Sequence, residues 1–378
     1  MEHHSQINAP GANALSGKTT AGVGDSANGV RTGGGASSVQ SCIHIGLPKT
    51  ATKALQINLF SKHPGLAYLG TYHSAPYLPF GKCRDAATMR LMDQLIWKRT
   101  GSPDIPACRD LFEQVLGRGA EQGAAQGSGG GARAGVPLWS WEALSLHRRE
   151  RRRERAMRLR QVFGPSKIII TLRHPVSLVE SVYFQVTKRN NIEDGAYWGR
   201  GPWYRPIMDW LETGLRRKRH NVPANHIDYA ETIRIYADVF GVEAIHIMLF
   251  EQLLEDTDAF VTKLCGILGV APPQEVGLTM PMEDRANIRW TSVQMQRLEE
   301  IRNSPGASIK FRFASRVKRR QMLGIEDADS RGDGESAPKA QVELSDRWVK
   351  RIAELTRSGN RYLTETWGLP LERYDYPV

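Results

Sequence analysis

Five short apolar runs, each followed by a helix-like pattern, constrain this chain most. They are "SCIHIGL", "PGLAYLG", "VPLWSWEAL", "SKIIITLRHP" and "AIHIMLFE". The fourth is the clearest strand: β-branched residues fill positions 168–171 and His174-Pro175 ends the run. Helical periodicity follows in "TKALQINLFSKH", across residues 86–98 and 109–116, and in "HRRERRRERAMRLRQVFG", "SLVESVYFQVTK" and "DTDAFVTKLCGILGV". "IRIYADVFG" precedes the fifth run as a helix, and "LSDRWVKRIAELTRSGNRYLTETWG" closes the chain as another, with Ser345 a suitable N-cap. Alternation of this kind predicts an α/β fold: a P-loop-like, mainly parallel central sheet with helices on both faces. Ligands of such sheets bind beyond the carboxyl ends of the strands.

The remaining segments set the limits. The chain has 378 residues, a 40% hydrophobic fraction and a formal net charge of +11. That is enough apolar material for a substantial core, and the charge predicts affinity for polyanions without selecting one. Residues 1–40 lack apolar periodicity and are expected to be a disordered tail, leaving residues 41–378 as one domain. The tail's "GANALSGKTT" imitates an ATPase phosphate loop, but its glycines are one residue too far apart and no strand precedes it. The glycine-rich residues 117–135 are expected to be a flexible insertion, and residues 325–340 a mobile loop. Cys42, Cys83, Cys108 and Cys265 form no C-x-x-C pair, so neither zinc nor a disulfide framework is indicated. There is no run of about 18 apolar residues and no basic-then-apolar leader at the N-terminus. A cytoplasmic location without a membrane span is therefore expected.

Two strand-to-helix corners carry the chemistry. In "IHIGLPKTATKALQ", Gly46 and Pro48 shape a turn, and Lys49, Thr50, Ala51, Thr52, Lys53 and Ala54 lead into a helix. Small residues let an anion approach the backbone, the helix start presents unpaired N–H groups, and Lys49 adds a full charge. The G-K-[ST] tripeptide of ATPases is missing, and no convincing aspartate ends the fourth or fifth strand, so a metal-free anion site fits better. In "TLRHPVSLVESVYF", Arg173 leaves the strand and Ser181 lies about two helical turns on, a guanidinium and a hydroxyl suited to a second phosphate. The bland alternative has Arg173 capping a carboxylate and Ser181 facing solvent. Two phosphate sites on neighbouring strand ends imply a nucleotide phosphorylated at two places.

"GLPKTATKALQ" resembles the 5′-phosphosulfate loop of PAPS-dependent sulfotransferases, and "RHPVSLVESVYF" resembles their 3′-phosphate motif, R-x-P-x(5)-S-x-Y. The segment from "YADVFG" to "CGILGV" resembles the family's later helix–strand–helix unit. "NRYLTETWGLPLERYDYPV" resembles the C-terminal end of its bacterial and carbohydrate-acting branches. The resemblance implies 3′-phosphoadenosine 5′-phosphosulfate (PAPS) as co-substrate, with no metal required. It places Lys49 on the oxygen bridging phosphate and sulfate, Thr50, Ala51, Thr52 and the following helix amides on the 5′-phosphate, and Arg173 and Ser181 on the 3′-phosphate. Ala51 stands where the family often has glycine. Lys53 replaces a usual hydroxyl residue, and either strengthens anion binding or points to solvent.

In-line transfer also needs a base for the acceptor hydroxyl. Glu142 follows a short strand and precedes a helix, and desolvation beside Trp139 and Trp141 would raise its pKa. The plain alternative makes it a first-turn residue favoured by the helix dipole. Histidines are the other candidates: His73 or His147, with His44 expected to be buried structure and His174 orienting or exposed. The basic run at residues 147–160 reads as a solvated face with partial pairing to Glu150 and Glu154, as an anionic-acceptor platform, or as a nonspecific nucleic-acid contact. "FRFASRVKRRQ" is a second basic patch, and Arg285 and Asn287 sit where the family has a substrate-side loop. The rival classes are a nucleotide kinase or NTPase, which needs a metal-holding acid, and a nucleic-acid binder, which needs exposed aromatics among its cations. The acceptor is expected to be a carbohydrate or glycolipid hydroxyl by family resemblance alone, with no specific nucleic acid as partner. Tryptophans within residues 194–210 would stack on it or simply pack. Oligomeric state is left open.

Overall fold

The computed structural model describes residues 40–70, 86–97, 103–125, 135–145, 149–191, 204–216, 227–279, 290–325 and 338–378. Among the described residues five strands form: β1 Ser41–His44, β2 Leu66–Tyr68, β3 Val136–Ser140, β4 Ser166–Leu172 and β5 Ile245–Leu249. They make one sheet in the order β2-β3-β1-β4-β5, and every pairing in it is parallel. The expected α/β architecture therefore forms, with the earliest strand at its centre. Register sets Ile43 beside Trp139 on one side and Ile168 on the other.

Both faces are covered, and the side-chain period of two decides which residue goes where. Ile43, Trp139, Ile168, Ile170 and Leu172 point into the larger core. There they meet α2 (Ala86–Met92), α3 (Ile105–Ala125), α4 (Arg149–Phe163), α5 (Pro175–Asn191), α6 (Ile207–Arg216) and α7 (Tyr229–Phe240). Their strand neighbours Cys42, Leu138, Ile169 and Met248 point the other way. They pack on α1 (Thr52–Leu55), which widens into a π-type turn over Gln56–Phe60, and on α8 (Phe250–Glu255) and α9 (Thr257–Leu268). Asp256 caps α9 by accepting from the Ala259 amide at 2.9 Å. The chain continues through α10 (Ser292–Asn303), α11 (Pro305–Phe313), α12 (Arg316–Met322) and α13 (Asp346–Trp367).

Three features depart from the sequence expectations. First, α3 runs to Ala125, into the stretch expected as a flexible insertion. Its "GRGAEQGAA" intersperses glycine with good helix formers, and extending an existing helix costs only about 1 kcal/mol per glycine. Second, residues 338–340 are ordered: Lys339 bridges Thr291, and the Ala340 amide donates to the Trp290 carbonyl at 2.7 Å. Third, α4 is not simply a solvated basic face. Arg152, Arg155 and Arg158, three residues apart, are buried at 2%, 4% and 8% exposure. Arg152 donates to the Thr232 hydroxyl and the Glu231 carboxylate of α7. Arg158 donates to the Leu95 carbonyl at 3.3 Å and also pairs with Glu154, the i,i+4 partner anticipated. Arg155 lies 5.8 Å from the Trp141 ring, and burial pulls its pKa down to about 10. The disordered-tail expectation and its decoy loop fall on residues 1–39, outside the described residues.

Candidate anion-binding site

The first corner follows β1 directly. The Ile45 amide donates to Ile169 at 2.9 Å and the Leu47 amide to Thr171 at 3.4 Å, so the chain follows β4 before turning away. Lys49 and Ala51 then adopt left-handed backbone, with φ of 67° and 59°. L-residues reach that region at a cost of roughly 1–2 kcal/mol, and such strain collects at ligand sites. Left-handed residues alternating with their neighbours turn successive amides to one side, the geometry of an anion nest. No side chain caps the helix at Ala51. The amides of Thr50, Ala51 and Thr52 take no hydrogen-bond partner among the described residues.

The threonine hydroxyls of this loop turn inward. Thr50 and Thr52 are buried at 0% and 1% exposure. Thr50 Oγ1 donates to the Leu47 carbonyl at 2.6 Å, and Thr52 Oγ1 reaches the same oxygen at 3.5 Å. They fasten the loop from within, and the amides of residues 50–52 remain its unpaired backbone donors among the described residues. Lys49 and Lys53 are half-buried beside them, and Ala54 is buried under the helix start.

A polar chain that the sequence did not reveal lies below this loop. The fully buried His44 places Nδ1 2.8 Å from Ser140 Oγ, and Gln56 Nε2 donates to that hydroxyl at 3.0 Å. His44 Nε2 has no hydrogen-bond partner among the described residues and lies beneath Gly46: a Cβ there would sit 2.8 Å from it and 2.9 Å from Thr52 Oγ1. Glycine at 46 is thus a requirement of close approach. Burial pulls the imidazole pKa down to about 4, so the ring is neutral near pH 7. The expectation that His44 is buried structure holds.

The second corner sits at the end of β4, the neighbour of β1. Half-buried Arg173 donates from Nη1 to the Lys49 carbonyl at 2.8 Å and so ties the two corners together. Its Nε and Nη2 donate to Ser177 Oγ at 3.0 and 2.7 Å, and its guanidinium lies 4.6 Å from the Phe250 ring. Ser177 was missed by motif reading. It precedes Ser181 by four residues, so both lie on one face of α5, and Ser181 is half-buried there.

The strip from residue 371 onward closes around this corner. The Glu251 carboxylate accepts from the His174 amide at 2.8 Å and from the Tyr376 hydroxyl at 2.9 Å. The His174 ring is edge-on to Tyr376 at 5.3 Å and reaches the Asp375 carbonyl at 3.0 Å. Tyr229 donates to the Arg173 carbonyl at 2.5 Å. Burial raises the Tyr229 and Tyr376 pKa values, with Glu251 adding to both, so both phenols stay protonated. His174 therefore orients this corner, one of its two anticipated roles.

Glu142 opens a single turn, Glu142–Leu144, just beyond β3. Because β3 flanks β1 with His44 opposite Ser140, Glu142, the first corner and Arg173 occupy the carboxyl ends of three adjacent strands. Glu142 is half-buried, and its carbonyl accepts from Ser145 Oγ at 2.7 Å. Trp139 is fully buried, 6.2 Å from Phe163 and 6.1 Å from Trp141. His73, His147, Arg285 and Asn287 lie outside the described residues, as do residues 194–203 of the tryptophan-rich segment. Trp210 from that segment packs against Tyr183 at 5.6 Å.

Neither a family model nor a curated protein matches this chain. Among solved structures, it is similar to a sulfotransferase from Alicyclobacillus acidocaldarius, with 17% identity over 76% of this chain and 96% of that one and a TM-score of 0.42. The sulfotransferase domain of a Synechococcus olefin synthase aligns with 15% identity over 75% of this chain and 93% of that one, TM-score 0.31. A mouse sulfotransferase complexed with PAP aligns with 12% identity over 73% of this chain and 89% of that one, TM-score 0.34.

Proposed function

We propose that this chain is a sulfotransferase that moves the sulfuryl group of PAPS to an acceptor hydroxyl. The case rests on the site's own geometry. Two anion corners end adjacent strands and are joined by the 2.8 Å bond from Arg173 to the Lys49 carbonyl. A ligand with phosphates at two places would engage both corners at once. The amide nest at residues 50–52, backed by Lys49 and Lys53, supports a 5′-phosphosulfate there. Arg173, with Ser177 and Ser181 on α5, supports a 3′-phosphate at the second corner.

PAPS supplies an activated sulfuryl group with a phosphate leaving oxygen. In this reading Lys49 neutralises charge growing on that oxygen in the transition state. The amides of Thr50, Ala51 and Thr52 hold the adjoining phosphate without reorganising, because the loop is already fixed by the threonine hydroxyls. Glu142 accepts the proton of the acceptor hydroxyl from the neighbouring strand end. The acceptor is taken to be a carbohydrate or glycolipid hydroxyl, and the site of action cytoplasmic.

The kinase reading is weaker on two counts. Thr50, which follows Lys49 where an ATPase places its metal-holding hydroxyl, donates inward to Leu47. The acid just beyond β5, Glu251, is engaged by His174 and Tyr376. Calorimetric titration in EDTA tests the proposal. Adenosine 3′,5′-bisphosphate should bind, and Lys49→Ala and Arg173→Ala should each weaken it at least about tenfold, the worth of one charge-assisted contact. Binding of Mg-ATP in place of the bisphosphate would overturn it.

A further inference from the structure

The chain from α10 to α12 contributes none of the residues assigned to the two corners. Phe311 and Leu323, at 1% and 0% exposure, anchor α11 and α12 to the core. Arg319 reinforces the join by donating to the Ala314 carbonyl at 3.0 Å. The outer side is apolar where solvent should favour polar groups: Ile309, Phe313 and Val317 are 62%, 82% and 64% exposed. Singly exposed apolar residues are ordinary, but three within nine residues of sequence, one of them a bare phenyl ring, mark an interaction surface.

The charges around them share one sign. From Ile301 to Ile325 the sequence has no acidic residue. Lys310, Arg312, Arg316 and Lys318 are exposed and form no ion pair among the described residues. Arg316 and Lys318 stand in the first turn of α12, where the helix dipole disfavours cations, so local electrostatics does not account for them. Cations surrounding protruding aliphatic and aromatic side chains are the composition of an interfacial segment. Phosphate groups answer the lysines and arginines, and the acyl boundary answers Phe313 and its neighbours. A single-stranded nucleic acid fits less well, because Ile309 and Val317 offer no ring on which a base can stack.

We propose that α11 and α12 dock the protein on a bilayer surface rich in anionic phospholipid, with Ile309, Phe313 and Val317 entering the headgroup boundary. No helix among the described residues is long and apolar enough to cross a membrane, so this contact is peripheral. The inference is independent of the sulfuryl-transfer reading, since it uses none of the same residues.

The test is sedimentation of the full chain with vesicles of phosphatidylcholine alone or mixed with phosphatidylglycerol. Binding should appear only with the mixed vesicles. Ile309→Ser/Phe313→Ser/Val317→Ser and Lys310→Gln/Arg312→Gln/Arg316→Gln/Lys318→Gln should each reduce it about tenfold, with circular dichroism unchanged. Phe313→Ser alone, the mildest change, should reduce it about threefold. Brominated lipid should quench Phe313→Trp beyond the wild-type level. Absence of binding to mixed vesicles would overturn the proposal, as would binding unaffected by the apolar variants. Binding only to a single-stranded oligonucleotide would replace it with a nucleic-acid surface.

Discussion

Ala51 offers a measurement whose sign tests the loop geometry. At φ 59° and ψ 12° the residue is left-handed, a conformation that costs an L-residue roughly 1–2 kcal/mol and glycine almost nothing. Ala51→Gly removes that cost. Against it stand about 0.5–1 kcal/mol of extra unfolded-state entropy and a partly buried methyl worth up to about 0.5 kcal/mol. The balance is centred on a gain of about 0.5 kcal/mol, within a range from a loss of about 0.5 to a gain of about 1.5 kcal/mol. Ala54 is the control: three residues later in the same helical stretch, it is 4% exposed. There the same change relieves nothing and should cost about 1.5 kcal/mol through propensity and the lost methyl. Thermal unfolding of both variants should place Ala51→Gly level with or above wild type. Ala54→Gly should fall about 2 °C lower, from an unfolding entropy near 2 cal/mol/K per residue. Bisphosphate affinity of Ala51→Gly should stay within about threefold of wild type. If Ala51→Gly loses as much as Ala54→Gly, the left-handed turn is not present and the amide nest goes with it.

Two further outcomes follow from buried groups near the corners. His44 has its pKa lowered to about 4 by burial, so as pH falls the unfolded chain protonates first, near 6.5. Stability should decline between about pH 6.5 and pH 4, by roughly 3 kcal/mol over the full window. His44→Gln should flatten that slope when melting temperature is followed against pH. Tyr376→Phe keeps the ring contact with His174 but removes a 2.9 Å hydrogen bond to Glu251. It should cost about 1–2 kcal/mol, read from urea denaturation.

The sheet was legible because each strand is a brief apolar run closed by glycine, proline or charge. The two corners were legible as strand-to-helix turns because Gly46-Leu47-Pro48 and His174-Pro175 each end an apolar run. The strand order was not, since nothing local to residues 41–44 says that they pair with residues 138–140 and 166–169. For the same reason the ring of His44 could be read as buried but not placed beneath Gly46. The left-handed turns at Lys49 and Ala51 escaped notice because glycine is the usual sign of positive φ and neither residue is glycine. Ser177 was hidden by attention to the motif's more distant serine. The arginine stripe of α4 was misread because charge in a sequence suggests water. Spacing at 152, 155 and 158, alongside Ala156 and Leu159, was the available signal that this face turns inward.

The central place of β1 also has a kinetic consequence. Its two neighbours, β3 and β4, are encoded roughly a hundred residues or more downstream, and closing loops of that size makes pairing slow. Until β4 arrives there is no Thr171 carbonyl to receive Leu47 and no Arg173 to hold the Lys49 carbonyl. Before then the strained turn is kept in place only by its own Thr50 and Thr52 hydroxyl bonds to the Leu47 carbonyl. Competence for the proposed nucleotide should therefore appear late in refolding, after most helical signal has recovered, and that ligand added during refolding should catch only chains whose sheet is already closed.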